Sequence, residues 1–272
     1  MRTYGILVIS HGSRSREWVQ LVDEAVEGMR VPDGVPVFGS FLELVDGRLI
    51  QDGITWLENR GVTDLIVIPL FVSKGSTHLD EIAYALGLKP EPLLPTDLEP
   101  FEIKADVHMT PPMDEDAELL AEMVYEKIRS LSEEPEREIV LLVGHGSVEQ
   151  LFHLAWRGSL ERIAQALKKT GGFGTTDVAM LLPNQTKRKL EWWQERKPGH
   201  AVIIAPLFLS EGYFTREVIP SRLEGFDYRY NGQSILPSPK VSEWLERQVA
   251  SFFNRDHYEQ KGDKEKWPNV LD

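Results

Sequence analysis

The sequence predicts a duplicated α/β protein of two lobes, each a parallel four-stranded sheet flanked by helices. Three observations predict it. An apolar run ending in His-Gly-Ser occurs at 4–13 (YGILVISHGS) and again at 138–147 (EIVLLVGHGS), with His11 and His145 134 residues apart. IVIPLFVSKG at 66–75 is echoed by IIAPLFLSEG at 203–212, at the nearly equal spacing of 137 residues. In both halves short apolar runs alternate with amphipathic ones, the pattern of strands joined by helical crossovers and hence of a parallel sheet.

In the first half, strand-like runs lie near 4–10, 35–43, 64–72 and 101–108, and helix-like runs near 15–30, 47–60, 78–87 and 114–131. The second half repeats the order, with strands near 138–144, 176–182, 200–209 and 228–236 and helices near 150–170, 186–196, 214–225 and 240–254. Prolines after each fourth strand correspond, Pro111 and Pro112 against Pro237 and Pro239. The charged, proline-bearing SEEPERE at 132–138 marks a boundary. The expected organisation is an N-terminal lobe carrying a metal site over 1–133, a C-terminal lobe over 134–254 and a polar tail over 255–272, in which Trp267, Val270 and Leu271 could dock on a neighbouring surface.

Composition narrows the function. At 272 residues and 42% hydrophobic, the chain can bury an adequate core. No apolar run is long enough to span a bilayer and the N-terminus lacks a signal-peptide pattern, so a cytoplasmic protein without membrane partners is expected. The absence of cysteine excludes disulfides, thiolate ligands and iron–sulfur clusters, leaving His and carboxylate to hold any metal. A net charge of −13 argues against nucleic acid. That charge is uneven: residues 1–134 hold 11 Lys and Arg against 25 Asp and Glu, residues 135–272 hold 19 against 18.

Parallel sheets place ligands beyond the carboxyl ends of their strands. There the first half puts His11, Glu43 at the end of FLE, and His78 in the turn opening the third helix. Two imidazoles and a carboxylate can hold a first-row divalent ion with positions left open. A lone strand-end His is more often structural; three strand ends supplying three ligand types shift that balance. In the second half His145 stays, but Thr215 falls against His78, and Leu182-Pro183-Asn184 stands where the first half has Glu43. Phosphate-transferring histidine enzymes want Arg before the His, where Ser10 stands; G-x-S-x-G, P-loop and dinucleotide fingerprints are absent.

HGSR at 11–14, Phe41-Leu42-Glu43 and PLFVSKGSTHLDEI at 69–82 together resemble the signature of the sirohydrochlorin chelatase family, the class II chelatases related to ferrochelatase, in its long two-copy form. The resemblance covers nearly the whole chain apart from the tail. It implies two ferrochelatase-like lobes facing across a cleft, and insertion of Co²⁺ or Fe²⁺ into sirohydrochlorin without ATP, in cobalamin or siroheme biosynthesis. The metal is then a substrate, with no permanently bound cofactor. Carried over, His11, Glu43 and His78 are metal ligands and catalytic groups. Long cobaltochelatases can carry a His-rich segment and a cysteine motif near the C-terminus; this tail holds only His257 and no Cys, so a storage or cluster role is not supported.

Sirohydrochlorin carries eight carboxylates, which a near-neutral second lobe tolerates better than an acidic one. Ser13, Arg14, Lys74, His145, Arg188 and Arg216 are the candidate substrate-binding residues, Arg188 and Arg216 foremost, with Arg157 and Lys187 also beside second-half strand ends. Phe71 and Phe208 could line the cleft, although packing is the commoner role. His153 and Arg157 read as an ordinary helical pair. Two fused lobes make a monomer the expected state. A metal or tetrapyrrole carrier that binds without inserting is the alternative function, separated from a chelatase by turnover.

Overall fold

The computed structural model describes residues 2–260, and the side chains of residues 2–254. The first half runs β1 (Tyr4–Ser10), α1 (Arg16–Glu27), β2 (Val37–Phe41), α2 (Ile50–Glu58), β3 (Asp64–Pro69), α3 (Thr77–Ala85), β4 (Asp106–Met109) and α4 (Ala117–Ile128). The second runs β5 (Glu138–Gly146), α5 (Gln150–Gly171), β6 (Thr175–Leu182), α6 (Thr186–Arg196), β7 (Ala201–Pro206), a wide helical turn (Phe214–Val218) continuing into α7 (Ile219–Arg222), and α8 (Pro239–Gln260). Both sheets are parallel, in the orders β2, β1, β3, β4 and β6, β5, β7. Helix α8 continues six residues into the stretch read as a tail; Trp267, Val270 and Leu271 lie outside the described residues.

The middles of central strands β1 and β5 are apolar because helices cover them: Ile6, Leu7 and Ile9, like Ile139 through Val143, are inaccessible to solvent. The second sheet has three strands, not the expected four. Arg229 pairs as a strand residue should, its N–H donating to Val202 O at 2.8 Å and its O accepting from Ile204 N at 3.0 Å. One bridge, Ile203 with Arg229, is as far as the pairing goes. Asn231 then turns its side chain to Lys127 O (2.8 Å), and Gly232 enters the left-handed region (φ 73°), which ends extended pairing.

The chain divides into two compact units that are not contiguous halves. Of the described residues, one comprises 2–70, 80–112 and 239–260; the other comprises 71–79 and 113–238. In the first, α8 docks on α1: Ser242 Oγ donates to Ala25 O at 2.8 Å, and Arg30 grips Glu246 with a fork of hydrogen bonds. In the second, α4 packs along α5, and Lys127 Nζ donates to Pro237 O at 2.6 Å. The fourth helix of each sequence repeat therefore packs with the unit built on the other repeat's sheet.

Candidate functional site

Beyond the C-terminal end of β1 the chain must turn at once while staying against β2. Leu42 N–H donates to Ser10 O (2.8 Å) and Glu43 N–H to His11 O (3.1 Å), so ladder pairing continues past the strands. This draws Gly12 so close that a Cβ would lie 2.0 Å from Glu43 O, at a φ of +102°. Only glycine fits that position. Ser15 follows as the α1 cap, accepting from Trp18 N at 3.3 Å.

His11 is thereby held against Glu43. Its Nδ1 lies 3.2 Å from Gly12 O and 3.7 Å from Glu43 Oε1, with the two side chains 41% and 53% exposed. A carbonyl oxygen only accepts, so a hydrogen bond here needs the proton on Nδ1; in the neutral ring Nε2 is then the nitrogen that binds metal or takes a proton. The carboxylate sits on the proton-bearing side of the ring, where such partners orient metal-binding histidines.

The loop bearing Glu43 is itself fixed. Arg48 makes paired bonds to Asp23 (2.8 and 2.7 Å), donates to Gly39 O at 2.7 Å and lies over the Phe41 ring at 4.8 Å. Leu44, next to Glu43, holds a φ of 69° although it is not glycine. Backbone strain of this kind persists where surrounding contacts enforce it. Arg48 carried no sequence signal beyond its charge.

The second copy repeats the turn without the carboxylate. His145 Nδ1–H donates to Gly146 O at 2.9 Å, and a Cβ on Gly146 (φ +78°) would lie 2.3 Å from Leu182 O. Leu182 thus occupies the place of Glu43. Its exposed apolar side chain supplies no ligand, and the His145 ring meets Phe214 edge to face at 4.9 Å. Thr215, the counterpart of His78, is buried and exchanges hydrogen bonds with the Gly212 backbone.

His78, half-buried in the first turn of α3, has its ring 6.5 Å from that of Phe71, which is a packed residue at 8% exposure. Among the described residues no group of three or more His, Asp or Glu is drawn together to hold a metal ion. His11 and Glu43 are brought together as a pair. Ser13 Oγ accepts from Ser15 N (3.1 Å) and helps shape the turn, with Arg14 exposed beside it. Lys74 Nζ faces Glu115 at 3.5 Å, and Arg216 faces Glu211 at 3.3 Å. Arg188 is exposed on α6 and Lys187 reaches Glu191 at 3.9 Å. His153 and Arg157 do not pair with each other as read: His153 Nδ1–H donates to Ser147 O (3.2 Å), and Arg157 binds Glu161 (2.7 Å).

Fold and site define a duplicated parallel α/β protein with a histidine turn at the end of each central strand and a carboxylate partner in one copy only. The sequence profile of the CbiX family matches residues 5–131 and 139–251, one match per copy. A sirohydrochlorin cobaltochelatase of Methanopyrus kandleri is 28% identical over 144 residues, 47% of this chain and 98% of that protein. Among solved structures, SirB of Bacillus subtilis with Fe³⁺ superposes at a TM-score of 0.71 and 20% identity. SirB of Bacillus subtilis subspecies spizizenii with cobalt superposes at 0.67 and 21%. Both alignments cover 95% of this chain and 98% of the other. The chain belongs to the CbiX family. No helix among the described residues is long and apolar enough to cross a membrane.

Proposed function

We propose that the protein inserts a divalent metal, Co²⁺ or Fe²⁺, into sirohydrochlorin, with His11, Glu43 and His78 handling the ion. The observation that carries this reading is the asymmetry of the two turns: the same glycine-enforced geometry has Glu43, with its carboxylate near His11, in one copy and Leu182, which has no ligand atom in its side chain, at the equivalent position in the other. The names of the relatives, a sirohydrochlorin cobaltochelatase and two SirB proteins bound to cobalt or Fe³⁺, point to the same substrates.

Chelation requires a site that captures the ion and gives it up. Neutral imidazole and carboxylate bind first-row ions without the retention of a thiolate cage, and the chain has no cysteine to build one. With the proton on Nδ1, Nε2 of His11 is the nitrogen that donates to the ion. Glu43 stands 3.7 Å from Nδ1; once the ion has passed to the ring nitrogens, Nε2 is free to take one of the two released pyrrole protons, with Glu43 balancing the imidazolium charge, and the second proton leaves to solvent. His78 supplies a second imidazole. The second copy holds the macrocycle: Arg188 and Arg216 meet its carboxylates, Arg14, Ser13, Lys74 and His145 completing the contacts. Insertion on this reading is independent of ATP: formation of the metal–nitrogen bonds, with loss of two protons, drives the exchange.

The test is turnover. Purified protein with sirohydrochlorin and Co²⁺ or Fe²⁺ changes the pigment's absorption faster than the uncatalysed mixture and over many equivalents. His11→Ala and His78→Ala each lower that rate at least tenfold. A single stoichiometric uptake without turnover makes the protein a carrier; wild-type rates in both variants remove these residues from the site.

A further inference from the structure

Asp114 belongs to no part of the proposed metal or tetrapyrrole site, yet it is inaccessible to solvent. It stands in the turn before α4, and two segments of the same compact unit, the loop after β3 and helix α5, converge on it. The Lys74 amide donates to its Oδ2 at 2.8 Å, and Ser159 Oγ, from the middle of α5, donates to the same oxygen. The guanidinium of Arg162, one turn along α5, donates to its backbone O at 3.1 Å. Its other carboxyl oxygen is buried with no hydrogen-bond partner. Burial pushes the carboxyl above the ordinary aspartate range, against the hydrogen bonds from Ser159, the Lys74 amide and Ser73.

The Lys74 amide lies in the loop that carries the chain from β3 to His78. That loop is fastened at successive residues: Phe71 O accepts from Met113 N (3.0 Å), and buried Ser73 accepts through Oγ from Gly75 N (3.1 Å) and through O from Ser76 N (3.1 Å). Gly75 lies so close to α5 that a Cβ would be 2.5 Å from Trp156 Cδ1 and 2.6 Å from Trp156 N. A buried, incompletely satisfied carboxyl is a costly fastening for a loop that needs only to connect a strand to a helix. The cost is accounted for if the position of the loop matters.

We infer that Asp114 and Ser159 are positioning residues that set His78 in register for metal transfer, so that α5 of the second copy fixes a metal ligand of the first. The inference rests on His78 being a metal ligand. The second copy, having lost its own carboxylate and second imidazole, then contributes to metal handling through this clamp.

The experiment is a double-mutant cycle read by Co²⁺ titration, followed in the visible absorption of the bound ion, and by insertion kinetics. Asp114→Ala and Ser159→Ala each weaken Co²⁺ binding and raise the KM for Co²⁺ by roughly 10-fold, as loss of a group behind a metal ligand does. The KM for sirohydrochlorin changes less than that for Co²⁺, since Lys74 is one of several macrocycle contacts while His78 is one of few metal ligands, and Asp114→Asn, which keeps an acceptor for the Lys74 amide, restores most of the affinity. In a His78→Ala background neither alanine substitution has any further effect. Should Asp114→Ala fail to fold, Ser159→Ala carries the cycle. If His78→Ala weakens Co²⁺ binding but the clamp variants do not, or if their effects multiply, the clamp is not acting through His78. If His78→Ala itself leaves Co²⁺ binding intact, the assignment of His78 as a ligand is what fails.

Discussion

Alanine at Gly12 and at Gly146 inflicts nearly the same injury on two turns that differ in one partner. At Gly12 the new Cβ lies 2.0 Å from Glu43 O with φ at +102°; at Gly146 it lies 2.3 Å from Leu182 O with φ at +78°. Holding an L-residue in the left-handed region costs about 1–2 kcal/mol. The neighbouring carbonyl must also retreat by more than ~1 Å to reach ordinary contact. Each variant should therefore melt roughly 2–8 °C lower than wild type. Their Co²⁺ affinities should diverge. Gly12→Ala moves the Glu43 backbone away from His11 and weakens binding roughly 10- to 100-fold; Gly146→Ala moves Leu182 and leaves Co²⁺ binding within about twofold, since differences that small fall well under 1 kcal/mol. Melting by circular dichroism gives the first quantity and Co²⁺ titration the second. Equal losses of affinity, or a folded Gly12→Ala that binds Co²⁺ as wild type does, would refute the assignment of the metal to the first turn.

Two further outcomes are expected. The ion pair of Arg216 with Glu211 is exposed, so it adds little stability and its removal is readable as function. Arg188→Ala with Arg216→Ala raises the KM for sirohydrochlorin roughly 10-fold in steady-state insertion assays, about 1.4 kcal/mol, without altering Co²⁺ affinity. Glu138, 2% exposed, pays a burial penalty that alone would raise its pKa. Bonds from Glu133 N (2.8 Å), Ser132 Oγ and Glu134 N (3.1 Å), with the Arg229 charge, outweigh it and hold the carboxyl below the usual range. Its stabilising effect is complete above the unfolded value of about 4.3 and is lost as pH falls through the lower folded value. Glu138→Gln should accordingly lose about 1.5–3 kcal/mol at pH 7 in urea melts, with the gap to wild type closing below about pH 4.

The repeat was legible because His-Gly-Ser after an apolar run requires both a strand and a turn. His11 and Glu43 were legible because topology alone sends strand ends to one edge. The structure adds why the glycine is needed and that Leu182 is the counterpart of Glu43. The helices α4 and α8 show an amphipathic pattern that marks each as covering something, but the pattern does not say which sheet; their packing with the opposite repeat's unit depends on contacts such as Ser242 with Ala25 and Lys127 with Pro237. The expected fourth strand near 228–236 fails for a local reason, the Asn231-Gly232 departure after one bridge. Asp114 was invisible: in PMDEDAE it reads as one of several acids before a helix, and only burial separates it from Glu115, which is exposed, and Asp116, which caps α4.

The central claim is that the metal is handled in the first copy by His11 with Glu43 and His78. Anomalous diffraction from crystals loaded with Co²⁺ at neutral pH tests it most directly. The account predicts a cobalt peak about 2.1 Å from His11 Nε2 with His78 in the same coordination shell. A peak on His145, or cobalt bound with both His11 and His78 outside its shell, would contradict it.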